Sequence, residues 1–110
     1  ALETVDTFNV LASVSSTLQI SNNEALTSIT GFQSLETVLA LEITNNPLLT
    51  SIAGLGSLRN VGGNLILFNL DLPNLDELTS LETVTGTCSI TPQSLLDSAP
   101  QNVKDACGVA

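Results

Sequence analysis

The sequence has no histidine, tryptophan, tyrosine or methionine, and its only aromatic residues are three phenylalanines. Without histidine, the chain lacks the side chain that most often acts as a general base and activates serine nucleophiles. Serine and threonine are abundant, at 25 of 110 residues, and we expect them to supply polar surface. The sequence therefore predicts a protein that is not an enzyme and that uses no cofactor.

Positive charge is also scarce. Arg59 and Lys104 are the only cations, and the formal net charge is −9. Such a chain repels the phosphates of nucleic acids and of anionic lipids, so neither is an expected partner. No apolar run approaches the roughly 18 residues that a membrane-spanning helix needs. The residues after Ala1 do not resemble a signal peptide, so we expect a mature or excised form.

Only two cysteines are present, Cys88 and Cys107, which lie 19 positions apart. In a lysine-poor chain rich in serine and threonine, the favoured interpretation is a disulfide, which implies an oxidising compartment outside the cell. The alternative is a pair of buried thiols. A zinc site is the weakest interpretation, because there is no histidine and no third cysteine.

No other metal site is expected. Asp71, Asp76 and Glu77 lie close together in the sequence and carry the oxygen ligands that calcium prefers. They lack the dense alternation of such ligands that a dedicated calcium loop has. The favoured interpretation is a solvated acidic loop.

A repeat of about 23 residues dominates the sequence. Residues 18–23 read Leu-Gln-Ile-Ser-Asn-Asn and residues 41–46 read Leu-Glu-Ile-Thr-Asn-Asn. A third copy begins at Leu65 and a degenerate fourth at Cys88. The alternation of apolar and polar residues is the period of a strand with one buried face. Equivalent segments of successive repeats are therefore predicted to stack as parallel neighbours in one sheet.

Between these segments the apolar residues recur at every third position, which matches neither an α-helix nor a strand. This spacing suits a chain that turns a corner every few residues in an extended, 3₁₀ or polyproline-like conformation. The rows are Leu2, Val5, Phe8, Leu11, Val14; Leu26, Ile29, Phe32, Leu35, Val38; Leu49, Ile52, Leu55, Leu58, Val61; and Leu72, Leu75, Leu78, Leu81, Val84. About four coils would thus fill residues 2–91.

The two spacings together resemble the receptor L-domain branch of the leucine-rich repeats. The resemblance is carried by residues 41–47 (Leu-Glu-Ile-Thr-Asn-Asn-Pro), residues 49–55 (Leu-Thr-Ser-Ile-Ala-Gly-Leu) and residues 61–63 (Val-Gly-Gly). It implies a mostly β, right-handed solenoid of about four coils with one parallel sheet. The family occurs in receptor ectodomains and in surface or wall proteins of fungi and protists, and its members bind many different partners.

The repeat stops after Ile90, and we assign residues 1–91 to the solenoid and residues 92–110 to a helical C-terminal cap of the same domain. Pro92 and Pro100 are typical of the first turns of short helices. Cys88 occupies the strand position that leucine holds in earlier repeats. A bond from Cys88 to Cys107 would therefore pin the cap to the last coil.

The first coil shows no comparable cap. Leu2, Val5 and Phe8 belong to its apolar edge and are a candidate interface. A second protomer stacked head to tail on this edge would build an open fibre. The alternative is that a preceding segment supplies a cap.

Stacking aligns equivalent residues in columns, and two columns of asparagine compete for the inward position at the end of the strand. Asn23 and Asn46 lie where such repeats resemble a buried asparagine ladder that caps free backbone groups. Strict alternation along the strand would instead turn Asn22, Asn45 and Asn69 inward. We favour the first register, and in either case a structural role.

A third column contains Glu36, Arg59 and Glu82, so that the arginine lies between two carboxylates. This arrangement predicts ion pairs on the surface. The favoured interpretation is solvated charges worth under about 1 kcal/mol per pair.

On the outward face of the predicted sheet, Ile66 and Phe68 stand where other repeats carry mainly polar residues. Neighbouring exposed apolar residues on a flat sheet indicate a contact site. The alternative is that a loop or the C-terminal tail covers them.

These observations favour a non-enzymatic structural or adhesive protein at an extracellular or cell-surface location. Its partner would be another protein, either a second copy, in a fibre built through the N-terminal coil, or a cell-surface or matrix protein. The first alternative is a receptor-type ligand-binding ectodomain module. A less favoured alternative is an ice-binding protein, suggested by the short columns Thr27 with Thr50 and Ser28 with Ser51.

Overall fold

Parallel strands form two sheets in the computed structural model, which describes residues 4–5, 12–91 and 93–108. One 3₁₀ turn, Ala53–Leu55, lies among the strands in the chain, and two short helices follow the last strand. In chain order the strands and helices are β1 (Thr4–Val5), β2 (Ser13–Ser21), β3 (Ser28–Ile29), β4 (Thr37–Asn46), β5 (Asn60–Val61), β6 (Leu65–Leu70), β7 (Thr83–Val84), β8 (Cys88–Ile90), α1 (Gln93–Asp97) and α2 (Gln101–Ala106).

Strand β4 is at the centre of the larger sheet. Strand β2 lies along one side of it, with Leu18 beside Leu41, and β6 lies along the other side, with Leu41 beside Leu65. Strand β8 continues the sheet with Cys88 beside Leu65, while β5 and β7 extend the first part of β4 in the same direction. All these pairs are parallel, so the predicted neighbours are confirmed. The fold is a mostly β solenoid of about three turns.

A smaller sheet forms on another side of the solenoid. Strand β1 pairs with β3, and Ser28 forms a further parallel bridge to Ser51. The first predicted row of apolar residues falls largely on residues 1–11, of which only Thr4–Val5 are described. Leu2 and Phe8 lie outside the described residues, and of Val5 the structure describes only the backbone, which pairs with Ile29.

The rows of apolar residues at every third position form the core. In the row that begins at Leu49, the amide of Leu55 donates a hydrogen bond to the carbonyl of Ile52, and the amide of Leu58 donates to Leu55. Each such bond closes a turn of three residues, so every third side chain points the same way. The described rows from Leu26 onward are buried, except that Val84 is half-buried. The predicted corner-turning path is therefore confirmed.

One corner of the solenoid varies in length between layers. In β4, two residues, Leu39 and Ala40, separate the register positions Val38 and Leu41. The same positions are separated by three residues in each neighbouring layer: 15–17, 62–64 and 85–87. The shorter corner lets β4 continue as one strand of 10 residues, whereas the third layer divides into β5 and β6.

Gly54 marks a place where two layers approach closely. A Cβ atom at Gly54 would lie 2.5 Å from the carbonyl carbon of Thr30, closer than side-chain atoms approach backbone. Any larger residue would therefore push the two layers apart. The close packing of the two layers therefore explains why position 54 is a glycine.

Helices α1 and α2 cover the end of the solenoid beyond β7 and β8. Leu95, Leu96 and Val103 are buried, and they extend the aliphatic core past the last strand. The side-chain amide of Asn102 donates hydrogen bonds to the carbonyls of Leu78 (2.9 Å) and Leu81 (3.1 Å) in the last layer. No helix in the described part of the chain is long and apolar enough to cross a bilayer.

A disulfide joins the cap to the sheet. Cys88, at the start of β8, is bonded to Cys107, just after α2, with 5.5 Å between their Cα atoms. Both cysteines pack against the core cluster. Cys88, which stands in the strand position that Leu65 holds one layer earlier, therefore links the end of α2 to the last strand.

Candidate contact site on the outward face of the sheet

The outward face of the larger sheet carries Ile66 and Phe68 on β6. Because side chains alternate along a strand, Leu65 and Leu67 point into the core and these two point outward. Phe68 is 49% exposed, and Ile66 is half-buried. The two residues predicted as a contact site therefore lie together on one face, and Phe68 is open to solvent.

Polar residues occupy the equivalent positions on the neighbouring strands. Ile66 lies between Glu42 and Ser89, and Phe68 lies beside Thr44. The side-chain amide of Gln19, on β2, donates to the carboxylate of Glu42 at 3.4 Å. Phe68 is thus an apolar side chain on a face that is otherwise mostly polar.

Sequence reasoning missed two further exposed leucines. Leu39 and Leu48 are each 52% exposed. Leu39 lies at the shortened corner of β4, where no neighbouring layer has a residue directly opposite, and Leu48 follows the end of that strand. The spacing from Leu18 to Leu41 is 23 residues and the spacing from Leu41 to Leu65 is 24. This difference in the sequence could have indicated the irregular corner at Leu39. Each of them is therefore an isolated exposed leucine next to a buried row.

Asn46 is the one buried polar residue among the described residues, with 0% exposure. Its Oδ1 accepts a hydrogen bond from the amide of Asn23 at 3.1 Å. Its Nδ2 donates to the carbonyls of Ile20 and Thr44, at 3.0 and 3.1 Å. Asn23 is half-buried, and its Nδ2 donates to Ser21. The favoured asparagine column thus satisfies backbone groups where the strands end, which is a structural role.

The competing column points outward and forms a second ladder. Asn22, Asn45 and Asn69 have φ values of 60°, 56° and 59°, in the left-handed region that asparagine tolerates better than most residues. The Nδ2 of Asn45 donates to Asn22 Oδ1 at 3.1 Å, and the Nδ2 of Asn69 donates to Asn45 Oδ1 at 3.2 Å. The left-handed residue breaks the alternation of the strand, which explains why the following asparagine can turn inward.

The predicted column of Glu36, Arg59 and Glu82 is present on the surface, with the arginine between the two carboxylates. The guanidinium of Arg59 lies 2.9 Å from Glu82 and 3.9 Å from Glu36, and all three side chains are more than half exposed. Solvent and salt screen such pairs, so their contribution to stability is small.

Of the acidic loop residues, Glu77 has a structural function. Its carboxylate accepts hydrogen bonds from the amide of Ile52 at 2.7 Å and from the hydroxyl of Ser51 at 2.9 Å. In the preceding layer the amide of Ile29 donates to the backbone carbonyl of Ser51, whereas the equivalent amide of Ile52 donates to the Glu77 side chain. The carboxylate of Glu77 therefore takes the place of a backbone carbonyl as the acceptor in this layer.

Within residues 4–5, 12–91 and 93–108, no group of three metal-ligating side chains is close enough to hold a metal ion.

In the threonine column, the hydroxyl of Thr50 donates to the carbonyl of Thr27 at 3.3 Å, and Pro73 ends the column. A hydroxyl engaged with the backbone is less free to order a lattice of water.

Fold and surface together define a class of protein, a parallel-sheet β-solenoid whose C-terminal end is covered by two disulfide-tethered helices. Comparison with models of known protein families, with curated protein sequences and with solved structures finds no match to this chain. The surface of the solenoid therefore carries the evidence for its function.

Proposed function

We propose that this protein is a non-enzymatic structural or adhesive repeat protein that works through protein–protein contacts. The proposal includes the leucine-rich, receptor L-domain-like type and a right-handed solenoid of about four coils. Its support is the repeat of about 23 residues, the buried rows at every third position and the parallel register of equivalent strands. A solenoid of this kind offers a flat, repetitive face for binding.

The proposal places the protein outside the cell or at the cell surface. The support is the disulfide between Cys88 and Cys107, since such bonds persist mainly in oxidising compartments. The net charge of −9 and the scarcity of cations suit a protein surrounded by solvent and by protein partners, rather than by nucleic acid.

The observation that carries the contact function is Phe68. The ring is 49% exposed on a flat sheet face, next to Ile66. It stands in the column where β4 has Thr44 and β2 has Ser21. Aromatic residues bury large areas at low entropic cost, and they dominate the energetics of many protein interfaces. The polar residues around the ring would form the rim of such an interface.

The test is a substitution of the ring, Phe68→Asp, probed against an array of purified cell-surface and matrix ectodomains. We expect wild type to bind at least one ectodomain, and the variant to bind it roughly tenfold or more weakly, because the buried apolar contact is replaced by a charge. Because the side chain is exposed, the thermal unfolding midpoint should stay close to that of wild type.

Leu48→Asp is the matched control, since Leu48 is equally exposed but lies off the strand. It adds the same charge and should leave binding unchanged. Failure of wild type to bind any ectodomain, or equal binding by Phe68→Asp and wild type, would contradict the proposed contact face.

A receptor-type ligand-binding module is the second candidate function. The observation that favours it is Glu42, whose carboxylate is held by Gln19 beside the apolar Ile66. An oriented charge next to an apolar surface suits one defined ligand better than general adhesion. In the same array, a receptor module would bind a single ectodomain, and an adhesive protein would bind several.

A further inference from the structure

The outward face of the larger sheet places a carboxylate close to the exposed ring. Leu41 and Ile43 are buried, so Glu42, between them on β4, points outward. Glu42 lies beside Ile66, and Phe68 is two residues further along β6 on the same face. With strands about 4.8 Å apart and a rise of about 3.3 Å per residue, the Cα atoms of Glu42 and Phe68 are about 8 Å apart. One side chain of a partner can therefore contact both.

The carboxylate of Glu42 is oriented by its neighbour on β2. Nε2 of Gln19 donates a hydrogen bond to Oε1 of Glu42 at 3.4 Å. A carboxylate has about four acceptor positions on its two oxygens, so this bond leaves room for donors from a partner. Ile66 is half-buried on the same face, and an alkyl chain can pack on its exposed part. The face therefore offers a negative charge, an aromatic ring and an apolar surface side by side.

The two positive charges of the protein lie on other elements. Arg59 and Lys104 are the only cations of the sequence. The guanidinium of Arg59 lies 2.9 Å from Glu82, in the charged column, and Lys104 is on α2 in the cap. The formal net charge is −9, so the field around the molecule attracts positive partners and repels acidic ones. Charge complementarity therefore favours a basic partner for the face that carries Glu42.

We propose that this face binds a basic segment of a protein partner through one arginine, whose guanidinium lies between the ring of Phe68 and the carboxylate of Glu42. The inference rests on the proposed contact function and names the chemistry of the partner. A planar guanidinium stacks on aromatic faces and pairs with a carboxylate through two parallel hydrogen bonds. A cation within about 6 Å of the ring centre is attracted by the negative face of the ring. The alkyl part of the arginine packs on Ile66.

The first test is a titration of the full chain with the peptide acetyl-Leu-Gly-Arg-Gly-Leu-amide, followed by nuclear magnetic resonance. We expect the backbone amide signals of Glu42, Ile66 and Phe68 to shift. The matched probe is the same peptide with citrulline, which has the shape of arginine without its charge. It should bind roughly tenfold more weakly, because the ion pair and the attraction to the ring both need a cation. Equal binding of the two peptides, or no shift at millimolar concentration, would overturn the inference.

The second test removes the charge of the carboxylate. Glu42→Gln keeps the size of the side chain and should weaken binding of the arginine peptide roughly fivefold, since a neutral amide forms no ion pair. Glu24→Gln is the matched control, because it removes the same charge from an exposed turn after β2. Its effect should stay below about twofold in about 0.15 M salt, which screens distant charges. Equal weakening by both variants would overturn the local site and indicate general attraction to a negative molecule.

The third test removes the aromatic ring and keeps an apolar side chain. Phe68→Leu should lower the preference for the arginine peptide over the citrulline peptide from roughly tenfold to roughly threefold, since leucine has no ring to attract a cation. The ratio of the two dissociation constants measures this preference. An unchanged ratio would show that the ring does not hold the guanidinium, and it would overturn the proposed geometry.

The basic partner and the contact function can fail separately. An aspartate at position 68 gives a guanidinium a second carboxylate, which contributes little at an exposed site, but it removes the whole ring, so the loss expected for Phe68→Asp is unchanged. If Phe68→Asp weakens binding to an ectodomain while Glu42→Gln and Glu24→Gln bind it equally well, the contact face stands and the basic partner is wrong. If Phe68→Asp binds as tightly as wild type does, the contact function itself is wrong.

Discussion

At the scale of single residues, two adjacent asparagines have opposite roles. Asn46 is fully buried and makes three hydrogen bonds to backbone groups of Asn23, Ile20 and Thr44. Asn45 is left-handed and bonds along the surface to its equivalents in the adjacent layers. The left-handed turn of one residue is what brings the next inward, so the Asn-Asn pair works as a unit at the end of the strand.

Replacing the buried member should be costly. Asn46→Ala leaves the amide of Asn23 and the carbonyls of Ile20 and Thr44 without their partner, and we expect a loss of about 2–4 kcal/mol in the free energy of unfolding. Urea denaturation measures it.

Asn45→Gly is the matched control for this prediction, because glycine accepts the left-handed conformation while removing the exposed amide. It removes the two exposed bonds to Asn22 and Asn69, and its loss should stay near about 1 kcal/mol, because water can replace both partners at the surface. Similar losses of unfolding free energy for both variants would contradict this account, in which the burial of Asn46 makes its hydrogen bonds contribute more to stability.

At the scale of elements, the cap and the sheet are joined by one covalent link. Cys88 begins β8 and Cys107 follows α2, 19 residues later. A cross-link of this separation reduces the entropy of the unfolded chain. The helices also bury Leu95, Leu96 and Val103 on the last layer, so covalent and apolar contributions act on the same interface.

Removing the link should lower stability without removing the fold. The double variant Cys88→Ala with Cys107→Ala should lose about 3 kcal/mol in free energy of unfolding, by the loop-entropy argument. Denaturant unfolding followed by far-ultraviolet circular dichroism measures it. Wild type in a reducing agent should match the variant, and a loss under about 1 kcal/mol would indicate that packing alone holds the cap.

The sequence predicts these elements to different degrees. Strands and corners repeat the same local pattern, so the parallel register of Leu18, Leu41 and Leu65 follows from the period. The role of Glu77 depends on a contact with Ile52, 25 residues away, whereas the equivalent amide of Ile29 donates to the backbone carbonyl of Ser51. Leu39 is exposed because its layer is one residue shorter at a corner. Such features are set by differences between layers, which a repeat pattern averages out.

At the scale of the whole molecule, stability comes from the contact of each layer with the next. The described rows are leucine, isoleucine and valine, with Phe32 as the exception within them. No layer can bury its apolar residues alone, so each contributes to stability only when its neighbour is present. The same stacking aligns Ile66 and Phe68 with polar columns on the neighbouring strands.

The stacking itself can be measured through its hydrogen bonds. The amide of Leu41 donates to the carbonyl of Asn64 at 3.0 Å, and the amide of Leu65 donates to Thr87 at 2.9 Å. Nuclear magnetic resonance should therefore detect scalar couplings across these two bonds, from each leucine amide nitrogen to the carbonyl carbon one layer away. Couplings from Leu41 and Leu65 to carbonyls within their own layer, or to strands running in the opposite direction, would contradict the stacked parallel solenoid.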